Sequence, residues 1–174
     1  MAKVNGNLKI GDNNITFDEF LRKVSSWGML TRFSNIEYND SGTWQFHTIT
    51  FDRTWLEWQG NEFLLNSGDG ESITIGKGVS LVEVSGWVAI TYASGTGALE
   101  VGINKNGESS GIINYDYRDT PGWGTTIHEI PPTPLKVTEG DKLTLTFCMA
   151  NGGNTILYAT EGRPAIALKV RVIK

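Results

Sequence analysis

A chain of 174 residues, 39% of them hydrophobic, with 21 glycines and only 5 prolines, has the length of one folded domain with many tight turns, which argues against disorder. Fifteen basic against nineteen acidic residues give a formal charge of -4, with no Lys or Arg cluster able to neutralise a row of phosphates, so no nucleic acid partner is expected. No apolar run approaches the roughly 20 residues that cross a bilayer, and the opening MAKVNGNLKIGD lacks the apolar stretch of a secretory signal, so no membrane partner and no signal-dependent export are expected.

In chain order, NGNLKIGDNN offers a short alternating piece, Leu8 and Ile10, between Asn and Gly turn formers. TFDEFLRKV is the one credible helix. Thr16 caps it, Glu19 completes a capping box, and Phe17, Phe20, Leu21 and Val24 fall at helical spacing. So short a helix is marginal alone in water, and its apolar stripe is expected to pack on the main domain rather than on copies of itself.

From Asn35 the signal is strand after strand. TWQFHTITF sets Trp44, Phe46 and Thr48 against Gln45, His47 and Ile49, and NEFLLNSGDGESITIGKG gives two short runs parted by a glycine-rich turn. In VSLVEVSGWVAITYA, residues Val82, Val84, Val88, Ile90 and Tyr92 share one parity and Leu81, Trp87 and Ala89 the other, so this strand is apolar on both faces. One face fills a core and the other needs separate cover. ALEVGINKNG ends in an Asn106-Gly107 pair that predicts a tight hairpin. GIINYDY, TTIHEI, PLKVTEGDKLTLTF, NTILYA and AIALKVRVI follow. Strands recurring at this spacing with no crossover helices predict a mainly β protein, an antiparallel jelly-roll β-sandwich over residues 35–174 behind a strand-helix segment at 1–34. Cys148 has the parity opposite to Leu143, Leu145 and Phe147, which places it under a neighbouring layer or subunit.

The loop NYDYRDTPGWG holds the densest polar and aromatic cluster. Tyr115, Tyr117 and Trp123 offer flat rings to sugar faces, and Asp116, Arg118 and Asp119 offer hydrogen bonds to hydroxyls; the competing reading is a long loop whose aromatics fold onto the protein. Trp55, Glu57 and Trp58 form a second such cluster, equally consistent with one covered strand face. For catalysis there are only His47 and His128, each inside an apparent strand and neither beside a G-x-S-x-G nucleophile motif. Asp116, Asp119, Glu57 and Asp69 are the carboxylates from which a glycosidase pair would come. The acidic turns GDNN and GDGE lack the spacing of a calcium loop, so no catalytic residue, metal or cofactor is expected.

IGKGVSLVEVSGWVAI followed by LEVGINKNGE, then PLKVTEGDKLTLTF and the closing AIALKVRVIK, resembles the jelly-roll heads of the tumour-necrosis-factor and complement-type superfamily over residues 70–174. VNGNLKIGDNNITFDEFLRKV and GDGESITIGKGVSLVEVSGWV look like segments of tail and baseplate proteins from phages and prophages of Gram-positive bacteria. The resemblance implies a non-enzymatic homotrimer in which Leu81, Trp87 and Ala89 are covered by a neighbouring subunit. It implies a head that attaches to a host-surface glycan or serves assembly, with the N-terminal segment contacting other virion proteins. The expected location is the phage particle, the chain being made in the bacterial cytoplasm and released without a signal peptide. The alternatives are a carbohydrate-binding module or glycan hydrolase, and a capsid decoration protein.

Overall fold

The computed structural model describes residues 7–10, 13–40, 44–54, 62–92, 97–118, 126–149, 153–157 and 164–174. In chain order the elements are β1 (Asn7–Ile10), β2 (Asn13–Thr16), α1 (Phe17–Ser25), β3 (Trp27–Arg32), β4 (Ile36–Asp40), β5 (Gln45–Thr48), β6 (Arg53–Thr54) and β7 (Leu64–Asn66). Then come β8 (Ser72–Ile75), β9 (Leu81–Tyr92), β10 (Gly97–Lys105), β11 (Glu108–Arg118), β12 (Thr126–Lys136), β13 (Lys142–Met149), β14 (Gly153–Leu157) and β15 (Ile166–Val172).

β1 and β2 pair as a hairpin, and the other strands form two antiparallel sheets. A seven-stranded sheet runs β4-β14-β9-β15-β3-β6, with β12 on the other side of β9. A six-stranded sheet runs β11-β10-β13-β8-β7, with β5 also paired to β13. Between them lies the core: Val82, Val84, Val88 and Ile90 of β9 and Ile166, Leu168 and Val170 of β15 meet Leu99, Val101 and Ile103 of β10 and Leu143, Leu145 and Phe147 of β13, every one of them buried. The two-residue period expected from the sequence is therefore the period of the core. β3 pairs with β15 from Arg32 to Trp27, so the sandwich begins at Trp27, ahead of the boundary at residue 35 read from the sequence.

The expected helix forms with Thr16 as its cap, its Oγ1 accepting the Glu19 N–H at 3.1 Å. Its stripe is only partly covered: Phe20 and Val24 are half-buried, while Phe17 and Leu21 are 42% and 45% exposed. Polar contacts tie the helix to the sandwich, Arg22 to Glu62 and the Lys23 ammonium to the Gly78 carbonyl.

Two turns differ in what they connect. Asn106 and Gly107, with φ of 56° and 84°, close the β10–β11 hairpin between Lys105 and Glu108, as a two-residue turn with left-handed residues requires. The Glu139-Gly140-Asp141 turn has the look of a second hairpin in sequence, but β12 pairs with β9 and β13 with β10, so this turn carries the chain from one sheet to the other. Asp141 fastens it. Its carboxylate accepts from the Thr138 N–H at 2.9 Å and from the Asn106 amide at 2.8 Å, while Asn106 in turn accepts from the Lys142 N–H at 2.8 Å. Burial alone would raise the Asp141 pKa, but the bonds from Asn106 and Thr138 and the Lys105 ammonium at 3.7 Å outweigh it and hold the carboxyl below its ordinary value.

Folding thus favours the ionised form of Asp141, so its contribution to stability is complete above the ordinary value of 3.8 and is lost as pH falls through the lowered native one. Asp141→Asn is expected to flatten the acid side of a stability–pH profile measured by urea unfolding, with the neutral side shifted by a constant amount. Gly86 faces the core of β9 where a Cβ would meet the Ala167 carbonyl oxygen at 2.7 Å. Gly86→Ala is expected to lower the unfolding free energy by about 1–3 kcal/mol, read from the same denaturation curves, because neighbouring backbone has to move.

Candidate functional site

With Leu99, Val101 and Ile103 turned inward, Glu100 and Gly102 face away from the core on the six-stranded sheet. Directly paired residues project to the same side, and the register lines up one row across four strands. Tyr115 of β11 pairs with Glu100 of β10, Glu100 with Cys148 of β13, and Cys148 with Phe46 of β5. Trp44, just before β5, joins the row's two ends. Its ring lies 6.4 Å from both the Phe46 and the Tyr115 ring, with planes within 20° of parallel. The three rings therefore stand in file, near parallel and spaced wider than the close contact of a tight stack.

The three rings stay open to solvent, Trp44 at 44% and Phe46 and Tyr115 at 55% exposed. Cys148, in the row between Tyr115 and Phe46, is fully buried. The outward parity read from the sequence is correct, and the single chain already supplies the cover. Burial also pushes the Glu100 carboxyl above its ordinary pKa. Trp44 is held at φ 55°, a left-handed conformation that costs a residue with a side chain roughly 1–2 kcal/mol. The next row, Ile113, Gly102, Thr146 and Thr48, is more polar, the Thr146 hydroxyl donating to the Gly102 carbonyl at 3.2 Å.

The ligand cluster expected between Asn114 and Gly124 is divided by this geometry. Its first part is strand, not loop, since β11 runs to Arg118. Tyr115 faces outward, whereas Asp116 pairs with the inward residue Leu99 and approaches buried His128, Oδ2 to Nδ1 4.0 Å. The side chains of Tyr117 and Arg118, and all of Asp119, Trp123, Trp55, Glu57 and Trp58, lie outside the described residues. The His128 Nε2 sits 3.2 Å from the Thr126 hydroxyl. Asp69 spends its oxygens on its own turn, accepting from the Glu71 and Ser72 N–H groups at 2.8 and 2.9 Å and from the Ser72 hydroxyl at 2.7 Å. Trp44, Phe46 and Glu100 were the residues sequence reasoning missed. Their shared outward parity was readable, but their convergence depends on a register spanning four strands.

A second surface is the outer face of the seven-stranded sheet. Trp87 and Ala89 face outward on β9, in register with Glu129 and Ile127 of β12, and Ile127 is 62% exposed. Trp87 is half-buried and its indole N–H donates to the Pro164 carbonyl at 3.3 Å. Leu81 lies on the same face but apart, because the Glu83–Arg171 ion pair at 3.1 Å stands between it and Trp87. Ala89, expected to need cover from a neighbouring subunit, is already buried by its own chain, so the outer apolar face of β9 is reduced to half-buried Leu81 and half-buried Trp87, with exposed Ile127 beside the latter.

No protein-family profile matches this chain, and no curated protein matches it in sequence. Solved structures do match in fold. Murine APRIL at pH 8.5 superposes with a TM-score of 0.55 at 10% identity over 84% of this chain and 98% of that one. Eiger TNF from S. frugiperda gives 0.52 at 8% identity over 86% and 92%. At such identities the likeness carries the fold alone, and the chain is a jelly roll of the tumour-necrosis-factor type.

Proposed function

We propose that this chain is a non-enzymatic attachment head that works as a homotrimer, each copy laying the outer face of its seven-stranded sheet against a neighbour. The observation that carries this reading is the exposed Ile127 beside half-buried Trp87 on the outer face of a sheet whose inner face is already filled by its own core. Burying such a patch needs a second apolar surface, and like subunits around an axis supply one. The resemblance of the head to trimeric jelly rolls supports the same arrangement. We place the head in a phage or prophage virion, attaching to a host-surface glycan, with the N-terminal segment contacting other virion proteins. That setting rests on the likeness of residues 4–24 and 68–88 to tail and baseplate segments.

The solution mass from light scattering is expected at three times the 19.1 kDa of the chain. Ile127→Glu, which changes an exposed side chain, is expected to give a monomer with unchanged unfolding behaviour, because a buried unpaired charge opposes association far more than it disturbs the free chain. A monomeric parent protein at micromolar concentration would overturn the trimer.

A further inference from the structure

We propose that the shelf formed by Trp44, Phe46 and Tyr115, with Glu100 in the same row of the sheet as Tyr115 and Phe46, is a binding site for a neutral glycan chain. The proposal rests on the attachment reading for its biological setting, whereas binding at the shelf requires only one folded copy. The form of the shelf selects the class of ligand. A cation is bound as a point charge by rings turned toward a common centre. These rings instead stand in file with planes within 20° of parallel and do not converge on one point, and each is about half exposed, so they offer a row of apolar contacts to an extended ligand. A run of pyranose rings is such a ligand, apolar on its C–H faces and ringed by hydroxyls.

The polar surroundings agree. Glu100 has no Lys or Arg partner among the described residues, and a half-buried carboxyl without a counter-ion is a hydrogen-bonding group for hydroxyls. Exposed Thr48 lies in the adjoining row. Single-stranded nucleic acid also stacks on exposed aromatics, but its phosphates would meet Glu100 on a chain of net charge -4. Three rings fall well short of the roughly 800 Å² that each partner buries in a stable protein interface. Trp44, whose ring bridges the other two, is besides Asn106 the one described residue other than glycine held at positive φ. Backbone strain of this kind gathers where a side chain has to be presented in a particular direction.

The test is calorimetric titration of the full chain with neutral hexasaccharides of glucose, mannose, xylose and N-acetylglucosamine, beside choline chloride as the cationic probe. At least one hexasaccharide is expected to bind. Trp44→Ala and Tyr115→Ala are each expected to weaken it about tenfold, and Tyr115→Phe is expected to retain it. The exposed positions of these rings leave the fold intact, which thermal melts of each variant check. The monomeric Ile127→Glu variant is expected to bind one hexasaccharide per chain with the affinity of the parent, so a failed trimer and a failed shelf give different results. Absence of binding to all four sugars, equal affinity in Trp44→Ala, or binding of choline alone would each overturn the proposal.

Discussion

The two-residue period of β9, flanked by hydrogen-bonded neighbours on both sides, is the constraint on which the rest of the molecule depends. β12 pairs along one edge from Thr126 to Lys136, and β15 and β14 along the other. A strand held in this way has no freedom to rotate, and a slip of one residue would turn Val82, Val84, Val88 and Ile90 out of the core together. At Gly86 the inward row has no side chain, and the Ala167 carbonyl comes close enough that a Cβ has no room. The outward direction of Trp87 and Ala89 is therefore a consequence of core packing, whatever those residues do on the surface.

The same alternation organises the opposite sheet. It sends Tyr115 outward and Asp116 inward, which separates a pair that is adjacent in the chain and brings Tyr115 into line with Phe46, a residue from an early strand. The Asp141–Asn106 contact holds this arrangement at one end, because it joins the β10–β11 hairpin to the turn that crosses between sheets. A buried carboxylate with several donors is held firmly, since each lost bond would leave part of a charge that water barely reaches uncompensated.

The two outer faces of a sandwich look in opposite directions. On the proposed reading, copies meet through one face, around Trp87 and Ile127, while the aromatic shelf on the other stays open. Assembly would then multiply the shelves without covering them, and several weak sugar contacts on one particle bind far more tightly than one alone.

Much of this architecture is local and was legible in the residue pattern. The alternation of β9, β10 and β13, the Thr16 cap, the Asn106-Gly107 turn and the outward parity of Cys148 all depend on neighbours within a few positions. What escaped was set by distant pairing. β3 has an irregular pattern and is a strand because β15 bonds to it. The prolines at 131 and 132 break the apparent strand into TTIHEI and PLKVT, yet β12 is continuous because a register shift between Ile130 and Thr133 absorbs them. The turn at Asp141 reads as a hairpin until the partners of its two strands are known. Local chemistry chose strand, turn and the face on which each side chain stands; the register between strands far apart in the chain chose which outward residues meet, and so set Trp44, Phe46, Glu100 and Tyr115 together, since strand pairing within a sheet is selected by the packing of the whole core and not by nearness in sequence.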